Sequence, residues 1–197
     1  QDRRIGFVAF TGSVAGGHAV QSAASERFIA TGLELGGKDP AYVRPDANLA
    51  AAIENLVDGA LFNSGQSCCG IERIYVHEKV YDAFKAKLAN AYTQLNIGNP
   101  LDQHNHVGPL IDKDAVAAYL NSIEEVKKSG GKEVVAGAVC TGAGFESGCY
   151  VKPCIYEVEN KWPIVQHETF APILYLMKYT SLEEAIALQN DVPQGLS

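Results

Sequence analysis

Ile5-Gly6-Phe7-Val8-Ala9-Phe10-Thr11-Gly12-Ser13-Val14-Ala15-Gly16-Gly17 reads as a strand that passes through a glycine turn into a helix. The apolar run Ile5–Phe10 suits a buried strand covered on both faces. A small-residue helix is predicted from about Val14 to Ala24, and Phe28–Leu35 reads as the next strand. Strand, helix and strand in that order are the repeating unit of a parallel α/β sheet.

The same alternation continues outward. Asp46 is placed to cap a long helix through Asn48–Phe62, which stops at Asn63-Ser64-Gly65. Arg73–His77 reads as a short strand. Val80, Phe84, Leu88 and Ala91 form an apolar stripe three to four residues apart, as in a helix. A polar loop runs from Asn99-Pro100 to Gly108-Pro109. Asp112 then caps a helix with Val116, Leu120, Ile123 and Val126 on one face, and Gly130-Gly131 ends it. Glu133–Ala136 returns as a strand, Gly137–Gly148 is loop-rich, and Trp162-Pro163 marks a turn. Ile173–Tyr179 is a strand, and Ser181-Leu182-Glu183-Glu184 is a capping box that opens a last helix. The expected fold is α/β, with three layers: a mainly parallel sheet carrying helices on both faces.

Composition narrows the function classes. Of the 197 residues, 47% are hydrophobic and 20% charged, enough to bury a core. The net charge of −7 argues against binding to nucleic acid or an anionic membrane. No apolar run approaches the roughly 18 residues of a membrane helix. Arg3-Arg4 before Ile5–Phe10 is not a secretory leader, because the run is short and ends in Thr-Gly-Ser. Five cysteines with no CxxC spacing do not suggest a disulfide scaffold or a zinc site, and reduced thiols fit a cytoplasmic or organellar matrix protein. His104 and His106 lie in a polar loop without a third ligand, so no metal is expected. His18, His77 and His167 read as packing or surface groups.

Four segments could carry chemistry. In Phe10-Thr11-Gly12-Ser13-Val14-Ala15-Gly16-Gly17, glycines let a ligand approach the backbone and a helix N-terminus offers N–H groups to a phosphate; a plain tight turn is the alternative. In Leu33-Glu34-Leu35-Gly36-Gly37-Lys38-Asp39-Pro40, apolar surroundings should desolvate Glu34 and suit it to base catalysis; a salt-bridged glutamate at a strand end is the alternative. Asn63-Ser64-Gly65-Gln66-Ser67-Cys68-Cys69-Gly70 exposes thiols in a glycine-flanked loop, where backbone N–H groups can stabilise a thiolate or an oxyanion; two small buried hydrophobes are the alternative. In Glu168-Thr169-Phe170-Ala171-Pro172, the acid can accept ribose hydroxyls beside a flat ring; a surface acid next to a core aromatic is the alternative.

Taken together and in this order, FTGS, LELGGKDP, GQSCCG and ETFAP resemble the aldehyde dehydrogenase superfamily over essentially the whole chain. Pro45-Asp46-Ala47-Asn48-Leu49, Ile97-Gly98-Asn99-Pro100-Leu101-Asp102, Val107-Gly108-Pro109-Leu110-Ile111 and Asn190 with Gln194-Gly195-Leu196-Ser197 agree with it. The resemblance implies Cys68 as nucleophile and Glu34 as general base. Gly12, Ser13, Gly17, Leu35 and Gly36 would lie near the cofactor, Glu168 would hold the nicotinamide ribose, and Phe170 would lie beside it. Gly16 departs from the aliphatic residue usual in the family. Residues 1–35 would be the end of a dinucleotide-binding domain and 36–197 most of a catalytic domain. Implied further are NAD or NADP, with NAD favoured, a small aldehyde substrate and a homo-oligomer. An oxyanion-binding asparagine and the residues for the adenosine ribose are expected in a longer chain, so this polypeptide alone should be a poor dehydrogenase that self-associates through Ile5–Phe10. ETFAPILY looks closer to semialdehyde-type members. Ser67 before Cys68, where an arginine could pair with a second carboxylate, weighs against a dicarboxylic semialdehyde. A thiol hydrolase using Cys68 and a non-enzymatic structural piece are the competing classes.

Overall fold

The structure, a computed structural model, describes residues 2–196. Gln1, which opens the basic start, and Ser197, which ends the Gly-Leu-Ser segment, lie outside the described residues. The chain runs β1 (Phe7–Thr11), α1 (Val14–Ser25), β2 (Ala30–Glu34), β3 (Asp39–Val43), α2 (Leu49–Leu61), β4 (Ile71–His77), α3 (Tyr81–Thr93), α4 (Lys113–Lys128), β5 (Lys132–Val135), β6 (Ala138–Val139), β7 (Val151–Lys152), β8 (Cys154–Glu157), α5 (Pro163–Gln166), β9 (Ile173–Tyr179) and α6 (Leu182–Asn190).

Alternation along the central strands sorts side chains into two cores. The main sheet has the order β3-β4-β9-β8-β5, parallel except for β5. Ile74 and Val76 of β4, Leu174 and Leu176 of β9, and Ile155 of β8 pack against Leu56 and Leu61 of α2 and Phe84 and Leu88 of α3. Tyr75, Tyr156, Tyr175 and Met177 point the other way, onto Val116, Tyr119, Ile123 and Val126 of α4, Val165 of α5 and Ala185 of α6. Helices cover both faces, as the alternation predicts. β1 and β2 form a separate two-stranded parallel sheet with Thr11 opposite Glu34.

Several local expectations are corrected. The first strand begins at Phe7, and Ile5 and Phe7 are exposed at 48% and 58%, so this strand is not covered on both faces. Phe28 is not in the second strand; it has φ 55° and is 97% exposed. Asp46 pairs with Arg44 at 3.0 Å, and Asn48 caps α2 by accepting the N–H groups of Ala50 and Ala51. Leu120 sits partly outside the apolar face of α4, where Tyr119 is buried instead. Strands β3, β7 and β8 were not foreseen, and β6 falls inside the stretch read as loop. β3 hides behind Lys38-Asp39-Pro40, a charged start with a proline. As the edge of the sheet, β3 can lack one ladder N–H.

Leu176 is completely buried. Leu176→Ala is expected to cost about 2–5 kcal/mol, as cavity-forming core truncations do. Asn48→Ala should cost about 1 kcal/mol through the lost cap. Urea unfolding would show both as a lower midpoint at unchanged slope.

Candidate active site

The parallel pairing of β1 and β2 brings both strand ends to one place. Gly12 donates its N–H to the Glu34 carbonyl at 3.0 Å. Ser13 then caps α1, its hydroxyl accepting the Gly16 N–H at 3.1 Å. The Phe10 ring folds across this turn, so a Cβ at Gly12 or Gly16 would lie 2.7 or 2.8 Å from its Cζ. Glycine at position 16 is therefore matched by Phe10. A Cβ at Gly17 would lie 2.7 Å from a methyl of Leu35, so Gly17 lets α1 close onto the segment that follows Glu34.

The second wall is the loop after α2. Asn63, Ser64 and Gly65 are all left-handed, with φ 50°, 60° and 76°. Such a conformation costs roughly 1–2 kcal/mol at a non-glycine residue, and side chains hold it. Ser64 Oγ accepts the Gly108 N–H at 2.9 Å and donates to the Gly108 carbonyl at 3.2 Å. Gln66 donates to the carbonyls of Asn63 (3.0 Å) and Pro109 (3.3 Å), and accepts the Ile111 N–H at 2.8 Å. A Cβ at Gly65 would meet the Ala171 backbone at 2.7 Å. The Gly-Gln-Ser-Cys loop is thus clasped to the Gly108–Ile111 turn, and Cys68 emerges exposed from it. Cys69 is also exposed, with its Sγ 3.5 Å from Ser67 Oγ.

The third wall is Glu168-Thr169-Phe170, behind α5. Thr169 is buried, its hydroxyl 3.1 Å from that of Ser122, while Phe170 turns outward at φ 56°. Glu168 lies against Gly36, where any Cβ would overlap its carboxylate, and it accepts the Gly37 N–H at 3.2 Å. Burial, followed by the nearby Glu72 carboxylate, pushes its pKa above the ordinary glutamate value.

A buried charge network underlies this wall. Lys38 has no exposed surface; it pairs with Glu72 and donates to the His167 carbonyl at 2.9 Å. Burial pulls its pKa down, and Glu72 opposes that shift. Arg73, also fully buried, donates to the Lys38 carbonyl at 2.7 and 3.0 Å, to the Tyr75 hydroxyl at 2.6 Å and to Asn160 Oδ1 at 3.0 Å.

These walls enclose a cavity of about 710 Å³. Gly12, Ser13, Glu34, Leu35, Gly36, Cys68, Glu168 and Phe170 all line it; Gly17 stands behind Leu35. Cys69 does not line it. Glu34 is exposed at the end of β2, outside the apolar surroundings expected for it. His18, Gln166, His167 and Gln194 also line the cavity. For His18, the signal was its place one turn beyond Ser13 on the same helix. Lys38, Glu72 and Arg73 were not anticipated, because charged residues in sequence ordinarily read as surface. Among the described residues no group of three His, Cys, Asp or Glu side chains could hold a metal ion, and no helix is long and apolar enough to cross a membrane.

The family model for the aldehyde dehydrogenase family matches residues 1–197. Aldehyde dehydrogenase family 7 member A1 of Pisum sativum is 43% identical over 197 residues, covering 100% of this chain and 38% of that protein. Alpha-aminoadipic semialdehyde dehydrogenase of Rattus norvegicus is 38% identical over 198 residues, covering 100% of this chain and 36% of the relative. Among solved structures, lactaldehyde dehydrogenase from Escherichia coli superposes with a TM-score of 0.88 at 33% identity, covering 96% of this chain and 39% of that one. A 3,6-anhydro-L-galactose dehydrogenase in complex with NAP gives 0.92 at 31% identity, covering 97% and 40%. The chain spans less than two fifths of the length of these curated relatives. With a match along its whole length, the chain belongs to the aldehyde dehydrogenase family.

Proposed function

We propose that this chain is the catalytic part of an NAD(P)-dependent aldehyde dehydrogenase, with Cys68 as nucleophile and Glu34 as general base. The observation that carries the reading is that an exposed thiol, an exposed carboxylate and the N-terminal turn of α1 open on one cavity. A dinucleotide would fit the residues present. Gly12, Ser13, Val14 and Ala15 offer the helix N-terminus to phosphate. Gly36 leaves room for the Glu168 carboxylate to accept ribose hydroxyls, with Phe170 beside it. The same reading divides the chain at Leu35/Gly36, between the two-stranded sheet and the five-stranded one.

In this mechanism the Cys68 thiolate attacks the aldehyde carbon, forming an S–C bond and moving the carbonyl π pair onto oxygen. The Cys68 backbone N–H stabilises that oxyanion. When bound, the nicotinamide supplies the hydride acceptor. With that acceptor in place, Cys68 would carry the oxidised acyl group as a thioester. Glu34 then takes a proton from water, the water oxygen adds to the thioester carbon, and the Cys68 thiolate leaves as the carboxylate product forms.

The similarity to the rat semialdehyde enzyme supports a semialdehyde substrate, and Ser67 provides no cation for a second carboxylate. The family resemblance favours NAD. Because the chain spans under two fifths of its relatives, its own turnover of aldehydes should be slow or nil. The exposed Phe7 on β1 supports association between copies, and the five free cysteines fit a reducing, cytoplasmic compartment.

Chloroacetamide labelling at neutral pH should select Cys68 over Cys69, Cys140, Cys149 and Cys154; equal rates at the two exposed thiols would defeat the nucleophile assignment. With a nitrophenyl ester as acyl donor, Glu34→Gln should keep the initial nitrophenolate burst but slow steady-state release by about 10²–10⁴-fold, the range for a lost general base. An unchanged steady state would remove Glu34 from the mechanism. NAD affinity should weaken as pH falls through the raised Glu168 pKa, because only the carboxylate accepts two hydroxyl donors. Glu168→Gln should flatten that dependence in a calorimetric titration.

A further inference from the structure

Lys38 lies between two carboxylates. Its Nζ pairs with Glu72 of β4, donates to the His167 carbonyl at 2.9 Å and lies 4.7 Å from the centre of the Tyr175 ring. Glu168 is the residue after His167 and lies within electrostatic reach of Lys38, yet its hydrogen-bond partner is the Gly37 N–H at 3.2 Å. The ammonium is wholly buried and Glu72 nearly so, so no water can take the place of either partner. If Glu72 lost its charge, Glu168 would remain as a carboxylate acting on this buried cation. Glu168 follows the carbonyl that Lys38 already holds, so a Lys38 released from Glu72 would be drawn to pair with the Glu168 carboxylate. That pair would use up carboxylate oxygens that otherwise face the cavity.

From this geometry we propose that Glu72 is a positioning residue: it holds the Lys38 ammonium against the His167 carbonyl and so keeps the Glu168 carboxylate free to accept hydroxyl donors in the cavity. The consequence for ribose rests on the reading of Glu168 given above; the consequence for Glu168 itself does not. The charged groups facing Glu168 are Glu72, Lys38 and Asp39, and each enters the balance. In the wild type, burial and Glu72 raise the proton affinity of Glu168, while Lys38 and the Gly37 N–H lower it.

The test is a carbon-13 NMR titration of Glu-labelled full chain, with Glu168 assigned by its loss in Glu168→Gln. Glu72→Gln should lower the proton affinity of Glu168 by about ten-fold, one pKa unit, as Lys38 turns to it. Lys38→Met/Glu72→Leu removes cation and anion together. Buried ion pairs exchanged for apolar residues commonly leave folding intact, and Glu168 should then titrate clearly above the single variant, back toward its wild-type position. A Glu72 that acts only through its own charge would also lower the midpoint in the single variant but would make the double variant follow the single one; that result, or an unmoved midpoint in the single variant, overturns the proposal. Should Glu72→Gln not fold, Glu72→Met, which removes the charge and keeps the volume, must give the same downward shift or the proposal fails. NAD titration of Glu168→Ala judges the ribose reading separately: unchanged affinity there would sink that reading while the NMR result on Glu72 stood.

Discussion

Lys38 and Arg73 have no contact with solvent, and a protein interior tolerates such cations only when their N–H groups find acceptors. Their acceptors come from distant parts of the chain: Glu72 on β4, Asn160 before α5, the carbonyls of His167 and Leu188, and the Lys38 carbonyl itself. Satisfying two cations therefore forces the segment after Glu34, the strand after Cys68 and the segment carrying Glu168 to meet. Apolar packing on the two faces of the sheet supplies cohesion but is indifferent to small displacements. The hydrogen bonds around the two cations are not, and they fix where the three cavity walls stand.

The strands and helices follow from alternation, stripes and caps where those signals are local. The capping aspartate at 112 and serine at 181 could be read directly, and both accept a backbone N–H at the start of their helices. The signals fail where tertiary context decides. Asp46 and Asn48 are both good caps, and the choice between them turned on Arg44 engaging Asp46. The run at Ile5–Phe10 looks buried by composition, yet burial needs neighbours, and among the described residues β2 is the one strand that pairs with β1.

The cavity was legible at residues whose chemistry is unusual for their place: a thiol pair in a glycine loop, an acid between leucine and glycines, an acid before an aromatic residue. Its supports were not. Nothing in Gly-Gly-Lys-Asp-Pro announces a wholly buried lysine, and nothing in Ile-Glu-Arg announces its partner, because pairing across the 34 positions from Lys38 to Glu72 has no sequence period. The helix at α1 was foreseen, but the accommodation of Gly16 by the Phe10 ring appears only in three dimensions.

The clasp between Ser64, Gln66 and the Gly108–Ile111 turn also sets an order of events during synthesis. A ribosome delivers the Cys68 loop before the residues that hold its three left-handed positions, and the Ala171 backbone that packs on Gly65 later still. Until those segments emerge, the loop has no reason to keep its strained shape. The thiol at position 68 thus lacks this setting until the residues around Ala171 have been made.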